Sequence, residues 1–327
     1  MEVDVRERRG KVPDAAGYVT VVGGANIDIS GAPFRALKQR DSNPGLVTSS
    51  AGGVGRNIAE NLARLGVPVK LLTVVGDDVY GDKLLADTGR AGVDIGCVRR
   101  LPGESTGIYL SVLDENRDMT VAVSSMEILN RLDAGYLREN HELLEGGEFA
   151  VFDANLTPEA LECGTGLIAG QKKYLDLVSV TKALRVKSLL GRFYCIKPNR
   201  LEAEALTGFS AASPPGLRRN AEYFHETGVS KVFITCGTDG VYFSDGTERG
   251  IVRALSTHVG SATGAGDAFV AGILHAEITG LSTAEAAVFG TGAALLALAS
   301  GETVSKSISP ESVRRIMEGN YELRQAF

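Results

Sequence analysis

The chain has no tryptophan and only four cysteines and four histidines in 327 residues. Cys97, Cys163, Cys195 and Cys236 are scattered and form no C-x-x-C pair. They read as small buried apolar residues rather than as a disulfide framework or metal site. The histidines are equally dispersed, so no zinc site is expected from them. No apolar run approaches the ~18 residues of a membrane span. Residues 1–16, "MEVDVRERRGKVPDAA", are too charged for a secretory signal and read as a flexible amino terminus. Positive charge is also in deficit: 34 Lys and Arg stand against 40 Asp and Glu, a net charge of −6 with no basic stretch. That argues against a nucleic-acid partner and leaves room for a polyanionic small molecule at a locally positive site. The expectation is a cytoplasmic chain with neither nucleic acid nor membrane as partner.

What is present reads as α/β. A chain of this length buries enough surface to need no staple, and 44% of it is hydrophobic. "YVTVVG" (18–23) is a β-branched run stopped by two glycines. "VGRNIAENLARLG" places Val54, Ile58, Leu62 and Leu65 at helical spacing, with Gly66 as a stop. "VPVKLLTVVG" reads as a strand and "GDKLLADTGRAG" as a helix. Further strands are expected at 149–153, 174–178, 194–197 and 231–235, and long apolar helices at 264–279 and 283–299. Continuous apolar strands alternating with helices imply a parallel sheet covered on both faces. Segments 28–50 and about 97–123 break the rhythm. In the second, Ile108–Leu113 returns as Met119–Val123 across a polar turn, so both segments read as a small β lid inserted into one domain, 17–327.

"GSATGAGDAF" (260–269) runs from a glycine turn straight into a helix. A helix start presents unpaired N–H groups and the positive end of the macrodipole, and Gly264, Ala265 and Gly266 let an anion approach them. Asp267 beside such a hole would repel a phosphate, but it suits a general base that takes a proton from an attacking hydroxyl. The plain alternative is a glycine-rich helix start capped by an aspartate. No G-x-x-x-x-G-K-[ST] occurs, and "GGANID" after the first strand departs from G-x-G-x-x-G, so a P-loop and a dinucleotide dehydrogenase are both set aside. Asn26 and Asp28 follow the first strand, where they suit either vicinal hydroxyls or an Asx turn. Gly52 and Gly53 permit close backbone approach, and Asn57 lies one turn along the next helix. Asn199 and Glu202, at i and i+3, fit a helix cap and its partner.

These motifs together resemble the PfkB-type, ribokinase-like carbohydrate kinases over about 18–305. "GGANIDISG", "AGGVGRNIAENLARLG", "KPNRLEAEALTG", "TCGTDGVYF" and "GSATGAGDAF" stand in family order. The resemblance implies a three-layer αβα sandwich with a mainly parallel central sheet and a β lid. It implies ATP as phosphoryl donor and Mg²⁺ organised through water by Asn199 and Glu202. Thr235, Gly237 and Gly240 would shape the nucleotide side, and Asn26, Asp28, Gly52, Gly53 and Asn57 would contact the sugar. Within the family, "SNPG" (42–45), "DANL" (153–156) and "VSVTKA" (178–183) resemble the members that phosphorylate the 5′-hydroxyl of pseudouridine. That adds Asn43, Asn155 and Lys182 as ribose or base contacts. Ribose or adenosine as acceptor, and a silent nucleoside-binding regulator, are the alternatives. Ser261 and Ala262 replace the Asp-Thr that helps many members bind a monovalent cation, which leaves potassium activation open. Lid strands in such kinases often pair between subunits, so a homodimer through the lid is expected.

Overall fold

The computed structural model describes residues 17–256 and 263–325; the amino-terminal segment 1–16 and the candidate cation residues Ser261 and Ala262 lie outside them. The apolar runs line up edge to edge. Val69–Leu72, Val19–Val22, Phe149–Asp153, Lys172–Asp176, Cys195–Lys197 and Lys231–Thr235 pair in that order, all parallel. Val241–Ser244, Arg249–Ala254 and Tyr321–Gln325 extend the sheet antiparallel to nine strands.

Alternation along the strands feeds two cores. Val19, Val21 and Val151 join the apolar faces of helices Val54–Arg64, Ala265–Ile278 and Thr283–Ser300. Val22, Ala150 and Phe152 join those of Ala134–Glu139, Pro158–Leu167, Arg200–Thr207 and Pro214–Glu226 on the opposite face. Burial on both faces is why these strands carry no polar alternation. Local sequence fixes the helix starts: Thr157 and Ser213 cap helices that open with proline, and Ser282 with Glu285 forms a capping box. Helix Thr283–Ser300 is, by length and composition alone, long and apolar enough to cross a membrane, contrary to the expectation of no such run. It is a core helix: 67% of it is buried and it packs along Ala265–Ile278.

Two features depart from the sequence reading. "VPVKLLTVVG" is not one strand. After Val69–Leu72 the Thr73 carbonyl accepts the Arg99 N–H (3.0 Å), and Val74–Gly76 leaves the main sheet to pair with Arg99–Leu101. Of segment 97–123, therefore, only Ile108–Leu113 and Met119–Ser125 enter the lid. They join Asn26–Pro33 and Gly45–Gly52 in a four-stranded sheet. Its register sorts side chains by chemistry. Asp28, Ser50 and Tyr109 share one face, whereas Ile29, Leu110 and Val123, with Val47, Val112 and Val121 beyond them, share the other. The base of the apolar face packs through Ile27 and Ile29 on Leu84 and Leu85, but Val47, Val121 and Val123 stay exposed.

One buried group ties this core to pH. His275 is 1% exposed, stacks on Phe289 at 4.9 Å, and neither ring nitrogen finds a hydrogen-bond partner. Burial first, and the Arg314 charge second, push its pKa down to about 4. The folded protein thus resists a proton that the unfolded chain accepts. Stability is complete above pH ~6.5 and falls as pH drops toward 4, by about 3 kcal/mol in all. His275→Phe should flatten the acid side of a melting-temperature profile between pH 7 and 4; parallel profiles for the two proteins would refute this.

Candidate active site

The site lies at the carboxyl ends of the parallel strands, where an open α/β sheet usually holds its ligand. Four of the six parallel strands deliver a polar residue there: Asp153, Asp176, Lys197 and Thr235 are last in their strands. Helix Ala265–Ile278 points its amino terminus at the same place. Gly264 precedes it in the left-handed region (φ 83°), and a Cβ there would run into the Thr303 carbonyl. Among the described residues no side chain caps this helix, so the amides of its first turn are open to a ligand.

Asp267 sits in that first turn, 9% exposed, and accepts a hydrogen bond from Asn57 Nδ2 (2.8 Å). Burial, then the Asp176 carboxylate, push its pKa up to about 8, against the pull of the Asn57 hydrogen bond and the Lys197 charge. A carboxyl so tuned takes and returns a proton near neutral pH. The orientation of Asn57 follows from its other neighbour. Arg56 Nη1 donates to Asn57 Oδ1 (3.1 Å), and a guanidinium can only donate, so the amide nitrogen must face Asp267. Arg56 is itself buried, ion-paired with Glu60 and bonded to the Ala51 carbonyl (3.1 Å).

Lys197 brings positive charge to the helix start. Its Nζ lies 3.1 Å from Asp176 Oδ2, and about 3.0 Å from where a Cβ on Gly266 would sit. Burial alone would lower its pKa, but Asp176, Glu202 and Asp267 outweigh that and hold it up, so the ammonium stays charged. The arrangement can place an anion between three amides and an ammonium, with a proton acceptor beside it. That is the electrostatic requirement of phosphoryl transfer to a hydroxyl.

The other wall is built from glycines around carboxylates. Asp153 is fully buried; its Oδ2 accepts the N–H groups of Gly24 and Gly55, both at 2.8 Å, and burial pushes its pKa up. This fixes the first-strand glycines against the start of Val54–Arg64. Gly53 (φ 97°) packs so closely on Gly24 and Ala25 that no side chain fits. Asn26 Nδ2 donates to Asp28 Oδ1 (2.6 Å), and Gly52 leaves room for that same carboxylate. Asn155 lies beside Gly24 and accepts a hydrogen bond from Lys182 Nζ.

On the far side, Asn199 and Glu202 form a reciprocal capping box: each side chain accepts the other's backbone N–H, at 2.9 and 2.8 Å. Glu202 is 2% exposed and burial raises its pKa. Asn199 bridges to Thr235, and Gly237 and Gly240 adopt positive φ in the turn beyond it.

The structure thus joins Asn26 and Asp28 to Gly52, Asn57 to Asp267 in the 264–267 turn, Lys182 through Asn155 to Gly24, which packs on Gly53, and Asn199 to Glu202 and Thr235, the last leading into the Gly237–Gly240 turn. Asn57, expected against a sugar, instead holds Asp267. Asn43 is not drawn in: its amide bonds the Lys38 N–H and the Lys38 and Asp41 carbonyls within its own loop. Sequence reasoning missed Asp153, Asp176 and Lys197, although "FAVFD", "KKYLD" and "CIK" each end an apolar strand on a charge.

Comparison with known proteins identifies the family. The family model for pfkB family carbohydrate kinases matches residues 16–310. The pseudouridine kinase of Escherichia coli (strain K12) is 38% identical over 302 residues, covering 92% of this chain and 96% of that protein. The uncharacterized sugar kinase YeiI of the same organism is 36% identical, covering 93% and 84%. Among solved structures, Arabidopsis thaliana ribokinase complexed with ribose and ATP superposes with a TM-score of 0.83 at 22% identity, over 93% of this chain and 99% of that one; its likeness is one of fold. The nine-stranded, mainly parallel sheet with helices on both faces is accordingly a ribokinase-like fold, and the chain belongs to the pfkB family of carbohydrate kinases, phosphotransferases with an alcohol as acceptor.

Proposed function

We propose that the protein transfers a phosphoryl group from ATP to the 5′-hydroxyl of pseudouridine. The observation that carries the reading is Asp267, a buried carboxyl poised near pH 8 beside the uncapped amides of a helix start. The ribose lies on the polar face of the lid, with Asn26 and Asp28 on its hydroxyls and Gly52 allowing close approach. Asn155 and Lys182 reach the base. Asp267, steadied by Asn57, takes the 5′-hydroxyl proton as that oxygen attacks the terminal phosphorus, and the amides of 264–267 with Lys197 hold the oxygens of the group in transit. ATP enters beside Thr235, Gly237 and Gly240, and lid closure keeps water from replacing the nucleoside.

Mg²⁺ fits the donor set as an ion held mainly by phosphate and water. Among the described residues no three acidic, histidine or cysteine groups converge as a cage. Glu202 has Oε2 committed to the Asn199 amide, leaving Oε1 to bind ion-bound water, as suits an ion that keeps its hydration shell. With the ion bound, Glu202 and Asn199 would face it through its water, and the chemistry it would supply is neutralisation of phosphate charge.

The 38% identity to a pseudouridine kinase supports the acceptor. The 36% identity to a sugar kinase keeps a free sugar such as ribose as the second reading. Product analysis tests the assignment: mass and ³¹P–¹H coupling should put one phosphate on O5′ of pseudouridine, and 5′-deoxypseudouridine should give no product. Phosphate on another oxygen, or transfer to the deoxy compound, would contradict it.

We also propose that two lids pair. Val47, Val121 and Val123 are 71%, 54% and 61% exposed on one sheet face, an apolar surface that invites cover. Sedimentation should show a dimer that Val121→Glu converts to monomer; a monomeric wild-type protein at micromolar concentration would refute the pairing.

A further inference from the structure

We propose a second ligand site, for a small organic phosphate, on the sheet face opposite the helix that carries Asp267. It rests on the kinase reading only for its consequence, not for its existence. A cavity of about 1200 Å³ opens between helix Pro214–Glu226 and the antiparallel edge of the sheet. Tyr242 lines it and belongs to the core on that face, whereas its neighbours Val241 and Phe243 belong to the core beneath Ala265–Ile278. The cavity is therefore separated from Asp267 by the sheet itself.

Its lining is basic in a chain that is acidic overall. Arg200, Arg218, Arg219, Arg253 and Arg324 face only three carboxylates, Asp239, Glu222 and Glu322. Guanidinium forks bind phosphate in pairs, which is the ligand such a cluster selects. Leu217, Pro214 and Ile251 add an apolar floor on which a ring or sugar edge can lie. A second observation is independent of charge. Tyr242 lines this cavity and is 1% exposed, and its hydroxyl has no hydrogen-bond partner among the described residues. A buried polar atom left unpaired is destabilising unless something arrives to satisfy it.

The site connects to the nucleotide side through one residue. Asp239 closes the Gly237–Asp239 turn, and its two oxygens pair with Arg200 (2.9 Å) and Arg253 (3.2 Å). Arg253 Nε also donates to the Thr238 carbonyl (3.3 Å). A phosphate in the cavity competes with Asp239 for both guanidinium groups. Its arrival loosens the turn that presents Gly237 and Gly240, so it weakens ATP binding, and ATP weakens its binding by the same factor.

Calorimetry on the full chain tests the site without reference to activity, with uridine 5′-monophosphate and inorganic phosphate as separate probes. The nucleotide should bind and phosphate alone bind more weakly. Arg253→Gln should weaken the nucleotide by about tenfold, as loss of one charge-assisted contact does. Tyr242→Phe, which keeps the ring, should weaken it severalfold, while Asp28→Asn at the opposite site should leave it unchanged. Binding that Asp28→Asn weakens and Arg253→Gln spares belongs to the active site and overturns the proposal, as does no binding at millimolar nucleotide. In the kinase assay the same nucleotide should raise KM for ATP in the wild type but not in Arg253→Gln. An inactive enzyme would refute the kinase reading and leave the calorimetric result standing.

Discussion

Asp267→Asn should bind nucleoside about as tightly as the wild type and turn it over about 10²–10⁴-fold more slowly, the usual contribution of a general base. The amide keeps the shape of the carboxyl and a hydrogen bond to Asn57 but has no basicity. The wild-type enzyme should show kcat falling about tenfold per pH unit below pH 8, where Asp267 is protonated. The variant should lose that limb. A stability signature accompanies the kinetics. A carboxyl whose folded pKa lies above its ordinary value favours the folded state only while protonated, so stability is full below pH ~4 and falls as pH rises toward 8. Asp267→Asn should therefore melt higher than the wild type at pH 8. Rapid-quench turnover and thermal melts across pH 6–9 read both effects. An Asn variant with near-normal turnover would remove Asp267 from the chemistry.

Gly264→Ala should be nearly as damaging, for a backbone reason. Gly264 holds φ 83° with its Cα against the Thr303 carbonyl. A methyl group there meets that oxygen in a conformation that already costs an L-residue about 1–2 kcal/mol. The helix start must shift, and the amides of Ala265, Gly266 and Asp267 shift with it. Losing aligned donors to an anion in transit reduces kcat by about 10²–10³. Nucleoside KM should change little, because Asn26, Asp28 and Gly52 stand on the lid and are untouched. A variant that is folded and retains wild-type kcat would show that these amides do not hold the transferring group.

Much of this was legible in the sequence because the fold is locally consistent. The strands at Phe149–Asp153 and Lys231–Thr235 and the helix that follows the Gly264 turn fall where apolar period and glycine punctuation put them. The glycine turn with Asp267 is visible in the sequence, where it reads either as an anion hole with a general base or as a capped helix start; the burial of Asp267 and its hydrogen bond from Asn57 are visible only in the fold. What escaped depends on contacts between distant segments. Nothing near Thr73 signals that the chain changes sheets there; its partner, Arg99, is 26 positions on. Resemblance and its place one turn along the helix point Asn57 at a sugar, and nothing in the sequence singles out its neighbour Arg56. Only the folded helix shows Arg56 orienting the Asn57 amide toward a carboxylate 210 residues away. Asp176 and Lys197 look unremarkable in sequence and acquire meaning when parallel register sets them side by side at the strand ends.

The central claim is that this site phosphorylates a C-nucleoside, and ADP release with MgATP tests it most directly. The panel is pseudouridine, uridine, ribose and adenosine, each compared by kcat/KM. The account predicts pseudouridine well ahead of the others, with the whole signal lost in Asp267→Asn. A clear preference for ribose or adenosine would contradict the assignment of Asn155 and Lys182 to the base, and no turnover of any acceptor would contradict the account itself.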